Sequence, residues 1–488
     1  MRRLGYLFLR ETWRSLRNGL AGDTHLWHWP RKDHKQSSVH RGPMIAAPAI
    51  KMTCVRKIGI LGHVGNENLG DEAIIAAVIQ NINCRYPEAQ IFGFTLNPKD
   101  TEKRHKITAF PIRRIGKRIH YKNNVTRAQP SGISSKVTHQ TKITLKSVPV
   151  VYAFLRGLEK SWRIFLTSLR ELPFLIQCYR NLKGIDLLII AGSQQLIDYI
   201  GGPWAHSYTL FKWTLLAKAV NAKVAFVSVG VGPIRSTLGK FFASKSLMLA
   251  SYRSYRDESS RAFVQTLGVS GQNAVFPDLV YSLQIDAPLN DGVGRESLPI
   301  VGINPVPFLD EQYWLGANAH RYELYVNKLA TFALWVIQRG YRILFFPTQL
   351  RLDPPVINDI KNILKVKADG DLNQKIVDKP ICSFDDLVSA ICITDIVVAT
   401  RFHGIVIPYV LNRPVLGIAY QRKSVDLMAQ MGQAEYVVDI NSFDIDSLKT
   451  RFISLETRSA AIQDEIQHRK FVFRRALQNQ YDHFLGLV

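Results

Sequence analysis

Sixteen mostly apolar residues from Asp395 to Val410, DIVVATRFHGIVIPYV, carry an arginine and a histidine one residue apart. A guanidinium buried in such a run costs several kcal/mol unless it meets an opposite charge, so Arg401 requires a partner. His403 falls at the start of the following apolar helix, where the helix dipole favours the neutral imidazole and attracts anions. A histidine there can move protons near neutral pH, although a lone histidine at a helix start is more often a cap or a packed side chain. Other residues have the same double reading. Arg256 in YRDESS is a cation at a strand-to-helix junction, or half of an ion pair with Asp257 capping the helix. Asn68, Gly70 and Asp71 in GNENLGDE lie in a loop entering a helix, whose amides can hold an anion or simply turn the chain. The GxxxxG spacing of that loop lacks the Lys-Ser/Thr of a P-loop, which argues against nucleotide hydrolysis. Asp278 in FPDL either holds one of the arginines or caps a turn; Gln194, Asp198, Tyr420, Lys423 and His63 are further polar residues beside strand ends.

The elements that must position these residues are short apolar strands alternating with helices, the pattern of a doubly wound parallel sheet. KIGIL, AQIFGFTL, IDLLIIAG, KVAFVSVGVGP and AVFPDLVYSL mark one half; IVGINPV, YRILFFPT, DIVVAT and PVLGIAY mark another. Helices are expected around 320–339, 384–393 and 403–412. The spacing therefore predicts an α/β protein with two Rossmann-like domains, 54–285 and 298–440, facing a cleft at the carboxyl ends of their sheets. A linker rich in Asp, Gly and Pro, 286–297, joins them. An N-terminal extension, 1–53, a basic insertion and helix, 99–183, and a helical tail, 441–488, able to pack back across both halves, complete the plan.

Charge is concentrated in the appendages. Residues 1–57 hold an excess of nine basic over acidic side chains and residues 99–183 an excess of fifteen, which together account for the net +24. The neutral remainder excludes a fold built around specific nucleic-acid binding. Within residues 4–20, Leu4, Leu7, Phe8, Leu9, Trp13 and Leu16 lie near Arg10, Arg14 and Arg17, a pattern suited to an amphipathic helix on an anionic membrane. A helix docked on its own domain, or an unstructured basic tail, fits equally. No apolar span reaches about 18 residues, and the N-terminal segment is broken by charge too early for a secretory signal. Five scattered cysteines form no metal-ligand spacing, so the expectation is a cytoplasmic protein, on the inner face of the membrane if it is attached, with no metal and no cofactor.

GNENLGDEAI, AGSQQLID, YRDESSRAFVQTLG, FPDLVYSL and TRFHGIVIPYVLNRPVLGIAYQRKSVDLM occur in the order of the motifs of the polysaccharide pyruvyl transferase family, which this chain resembles over roughly residues 54–435. Two departures stand out: the middle loop has Gly192 in place of a run of glycines, and Phe402 stands where leucine is common. The resemblance implies a fold like that of GT-B glycosyltransferases and transfer of a pyruvyl group from phosphoenolpyruvate to two sugar hydroxyls, giving a cyclic ketal and phosphate. It makes His403 the general acid/base and Arg401 the donor anchor. Arg256, Asn68, Gly70, Asp71, Tyr420 and Lys423 become donor contacts, and Gln194, Asp198 and Asp278 acceptor or supporting contacts. The acceptor would be a saccharide, with lipid linkage suiting the basic appendages. Two rival readings are a nucleotide-sugar glycosyltransferase of similar architecture and a silent membrane-associated scaffold. RFHGIVIPYVLN offers no carboxylate to grip a ribose, and a silent fold would gain stability by losing Arg401 and His403.

Overall fold

Strand order defines the architecture. In the first half, β1 (Lys57–Leu61), β2 (Gln90–Thr95), β3 (Thr108–Pro111), β4 (Leu187–Ala191), β5 (Lys223–Val229), β6 (Tyr252–Tyr255) and β7 (Ala274–Val275) form one parallel sheet in the order β3-β2-β1-β4-β5-β6-β7. In the second, β8 (Ile300–Asn304), β9 (Arg342–Phe345), β10 (Ile376–Val377), β11 (Ile396–Ala399), β12 (Val415–Ala419) and β13 (Val437–Asp439) form another, ordered β10-β9-β8-β11-β12-β13. Each order reverses direction once, between β1 and β4 and between β8 and β11. Those reversal points are where a doubly wound sheet leaves a crevice for ligand. This computed structural model describes residues 55–62, 65–114, 171–199, 201–271, 273–285, 298–310, 316–368, 370, 372 and 374–488. His63, the N-terminal extension, the 286–297 linker and positions 115–170 of the insertion lie outside them.

The central strands β4, β5, β8 and β12 are buried on both faces, as their near-continuous apolar content requires. Helices α1 (Leu69–Arg85), α2 (Pro98–His105), α3 (His206–Ala219), α4 (Thr237–Leu249) and α5 (Glu258–Thr266) belong to the first half. The second carries α6 (Ala319–Gln338), α7 (Asp353–Lys367), α8 (Phe384–Cys392), α9 (Phe402–Val410), α10 (Arg422–Gln430) and α11 (Ile445–Thr457). One hydrophobic cluster joins β1, α1 and the 3-10 turn Leu279–Ser282 of the first half to the whole second half; another fills only the opposite face of the first sheet.

The start of the insertion differs from the sequence-based plan. The insertion does not begin at residue 99: α2 and β3 complete the edge of the first sheet, and residues 171–182 form a helix that buries Phe174, Cys178 and Leu182 against that sheet. Basic composition hid both, because α2 buries only Thr101 and β3 has one buried residue, Ala109. The expected helical tail consists of α11 and a long helix, α12 (Ser459–Leu485), that returns from the second half to the first. Lys470 donates to the Val410 carbonyl at 3.2 Å, Arg474 to the carbonyls of Tyr281 and Leu283, and Gln480 to the Ser254 hydroxyl at 2.6 Å.

Candidate active site

Most of the polar residues singled out above sit at carboxyl ends of strands, and the two sheets bring them together from opposite sides. Asn68 caps α1, its side chain accepting from the Gly70 amide at 3.1 Å. The loop before it is pinned to the second half: the Leu69 amide donates to the Thr348 carbonyl at 2.8 Å, and the Gln349 side chain donates to the Asn66 carbonyl at 2.8 Å. That pinning sets α1 against α9. The His403 ring then lies so close over Gly70 that a Cβ built there would fall 2.0 Å from Nδ1. Only glycine permits this approach.

Arg256 follows β6 and is buried. It donates to Asp278 Oδ2 at 3.2 Å, lies 3.9 Å from Asp257, and occupies space beside Gly230 that a Cβ would take. Asp257 meanwhile caps α5 through the Ser260 amide, so the cation and the cap of YRDESS coexist. Beneath the guanidinium is Phe402, with its ring centroid 4.4 Å from the Arg256 carbon; Lys423 Nζ stands 5.1 Å from the same ring. The departure from leucine thus has a physical account: an aromatic face supports two cations that would otherwise repel each other in a buried space. Lys423 also donates to Gln194 Oε1 at 3.2 Å, so Gln194 belongs with the cations.

Burial dominates the electrostatics. It pushes the Lys423 ammonium down to about 7, with Arg256 adding repulsion, and the His403 imidazole down to about 4 despite Asp278, 3.9 Å from Nε2. It pushes the Asp71 carboxyl up to about 6, against a hydrogen bond from Ser193 and the charges of Lys423 and Arg256. Asp71 Oδ1, His403 Nε2 and Arg256 Nε are buried and have no hydrogen-bond partner. Three polar atoms of complementary chemistry, buried and without a hydrogen bond, thus lie in one constellation, with Asp257 and Asp278 each 3.9 Å from one of them.

Arg401, the expected donor anchor, has an internal partner. Its Nε donates to Asp353 Oδ1 at 2.8 Å, a second nitrogen donates to the same oxygen, and its side chain also bonds Tyr420. Asp353 is fully buried and takes the Thr348 and Gln349 amides on its other oxygen, both at 2.9 Å. The internal ion pair meets the cost of burial, and its effect is to fix the turn that carries His403. Asn304, at the end of β8, takes the Arg401 amide. Neither Asp353 nor Asn304 was singled out in the sequence. The only trace of Asp353 was a helix start, DPPV, with proline in the first turn. Asp198, expected as an acceptor or supporting contact, is satisfied within the fold: burial raises its carboxyl, but bonds from the Ser236 hydroxyl and the Arg235 and Ser236 amides hold it below the usual range, at the head of α4. Asp278 is a partner of Arg256 and caps the turn Leu279–Ser282.

Among the described residues no group of His, Cys, Asp and Glu has a metal-binding arrangement, and no helix is long and apolar enough to cross a membrane. Comparison with solved structures gives low similarity. The UDP-GlcNAc 2-epimerase of Methanocaldococcus jannaschii is 12% identical at TM-score 0.49, over 81% of this chain and 92% of that one; a glycosyltransferase of Rickettsia africae is 13% identical at 0.45, over 88% and 99%. The fold assignment accordingly rests on the strand orders. Among curated proteins, the amylovoran biosynthesis protein AmsJ of Erwinia amylovora is 23% identical over 293 residues, 57% of this chain and 67% of that protein. The family model for polysaccharide pyruvyl transferase matches residues 68–422, from the cap of α1 to the first residue of α10. Both halves of the site fall within or beside that match, and the chain belongs to the polysaccharide pyruvyl transferase family.

Proposed function

We propose that this transferase of polysaccharide biosynthesis takes its pyruvyl group from phosphoenolpyruvate and attaches it to two hydroxyls of a saccharide as a cyclic ketal, releasing phosphate. Family membership supports the transfer. The observation that carries the choice of donor is the packing of Arg256, Lys423 and His403 around Phe402 with unpaired buried atoms between them. Phosphoenolpyruvate concentrates a phosphate and a carboxylate on three carbons, and two fixed cations of different reach suit such a body.

In the proposed sequence the donor's charge lies against Arg256 and Lys423 and raises the affinity of His403 for a proton. His403 gives that proton to the methylene carbon, leaving C2 electrophilic. A sugar hydroxyl bonds to C2 and its proton passes to the Asp71 carboxylate. Phosphate departs with the electrons of its C–O bond and takes the proton held by Asp71. The second hydroxyl then bonds to C2 and its proton restores His403. One C=C and one C–O bond are lost and two C–O bonds and one C–H bond are gained, with both residues returned to their starting states. Arg401, held by Asp353, positions His403, and no cofactor beyond the donor enters the scheme.

Incubation of the full chain with phosphoenolpyruvate and candidate glycans, following phosphate release and acceptor mass, tests the reading. A mass gain of one pyruvylidene group is expected, and His403→Ala should abolish it while leaving the fold intact. Glycosyl transfer from a nucleotide sugar in its place, or undiminished activity in the His403 variant, would overturn the assignment.

A further inference from the structure

The helix at residues 171–182, α3 and α4 cover one face of the first sheet, burying Phe174, Leu182, Trp213 and Leu247 among others in a common cluster. Their outward faces are unusual. Leu172, Ile176 and Tyr179, spaced four and three apart along one helical stripe, are all exposed. On the neighbouring helices Leu215, Phe241 and Met248 are about half exposed, and Trp204, just before α3, is 65% exposed. Two of these side chains, Trp204 and Phe241, are joined through ring contacts: Trp204 and Tyr208 both pack on Phe242, which stacks with Phe211, which meets Phe241. Lys212 ties this group to the 171–182 helix through Glu171 and the Phe174 ring. Eight of the fifteen large exposed apolar residues among those described fall between Leu172 and Met248, so the exposure is a patch and not scatter.

Charge identifies what the patch fits. The sequences of α3 and α4 contain no Asp or Glu. Exposed Lys218, Lys240 and Lys245 flank the aromatic group, and exposed Arg180 and Lys183 end the 171–182 helix; Glu171, already paired with Lys212, is that helix's only acid. A protein partner of ordinary composition has no need of this combination. Tryptophan and phenylalanine at the surface, ringed by lysines with no countercharge, match a layer that is apolar within and anionic at its face.

We propose that this face of the first domain, the outer side of residues 171–182, α3 and α4, docks on an anionic lipid bilayer. Trp204 and Phe241 enter the interface and the lysines meet the headgroups. Trp204 lies in the segment after β4 whose first residues, Ser193 and Gln194, contact Asp71 and Lys423.

The test is flotation of the full chain with vesicles of phosphatidylcholine alone and of phosphatidylcholine with phosphatidylglycerol. Wild type should float with the anionic vesicles, less so as salt rises. The paired surface variant W204E/F241E should bind about tenfold more weakly, as should K240E/K245E, with unchanged thermal melting. Wild-type flotation by W204E/F241E would overturn the proposal and assign attachment to another part of the chain. Equal binding to both vesicle types would overturn the role of charge. A shift from dimer to monomer in W204E/F241E, with no flotation by wild type, would show that a second copy covers the face and overturn the lipid assignment.

Discussion

Replacing Gly70 with alanine isolates the contact between the two halves of the site. The new methyl would lie 2.0 Å from His403 Nδ1 and 2.1 Å from Cγ, where ordinary contact begins near 3.4 Å, so the ring must retreat by more than an ångström. Helix propensity favours alanine by about 1 kcal/mol, while overpacking a tight contact costs roughly 1–3 kcal/mol. Net stability should therefore change by no more than about 2 kcal/mol, leaving a folded protein. A displacement of about 1 Å at a proton-transfer group costs on the order of 100-fold in turnover. The expectation is a drop of that size in kcat, measured by phosphate release from phosphoenolpyruvate with an acceptor that wild type uses, alongside a small change in Tm. Wild-type kcat in Gly70→Ala would refute the placement of His403 over the helix start and its part in the reaction.

Three further outcomes follow from the buried charges. With Lys423 near 7 in the free site, donor binding above that pH must take up a proton, so Kd for phosphoenolpyruvate should weaken by up to about tenfold per pH unit between pH 7 and 9. Calorimetry should find this slope lost in Lys423→Met, and a flat wild-type profile would count against the lysine as a donor contact. Asp71 titrates near 6 when folded, above the ordinary 3.8, so stability is lost as pH rises through that window. Asp71→Asn should be more stable than wild type at pH 7.5 by on the order of 3 kcal/mol, with the gap closing toward pH 4 in urea denaturation. Asp353→Ala leaves the Arg401 guanidinium without its carboxylate and frees two buried amides, a loss of about 3–5 kcal/mol, part of which Asp353→Ala with Arg401→Met should recover.

Local signals were legible where one segment contained both the element and its chemistry. The apolar run broken by Arg401 and His403 marked a strand end entering a helix, and β11 and α9 meet there. Residues joined only by the fold were silent. Asp353 lies 48 positions before Arg401 on a different helix, so the sequence showed an unmet charge but not what met it. Ser193 escaped notice because a single hydroxyl in a loop has no pattern. Asp198 misled in the opposite direction, since a carboxylate satisfied by Arg235 and Ser236, far along the chain, looks the same in sequence as one facing a ligand. Phe402 became intelligible only when Arg256 and Lys423, from opposite halves, were seen to share its ring.

The long helix α12 also has a temporal meaning. Ser228 and Ser254, both buried at the heart of the first sheet, bond Gln480, more than two hundred residues later in the chain. During synthesis the first half emerges without the Gln480 bonds to those hydroxyls and with its 3-10 turn bare of Arg474. The first domain therefore reaches its final packing only after the second has been made, because the helix that completes it is the later part of the chain.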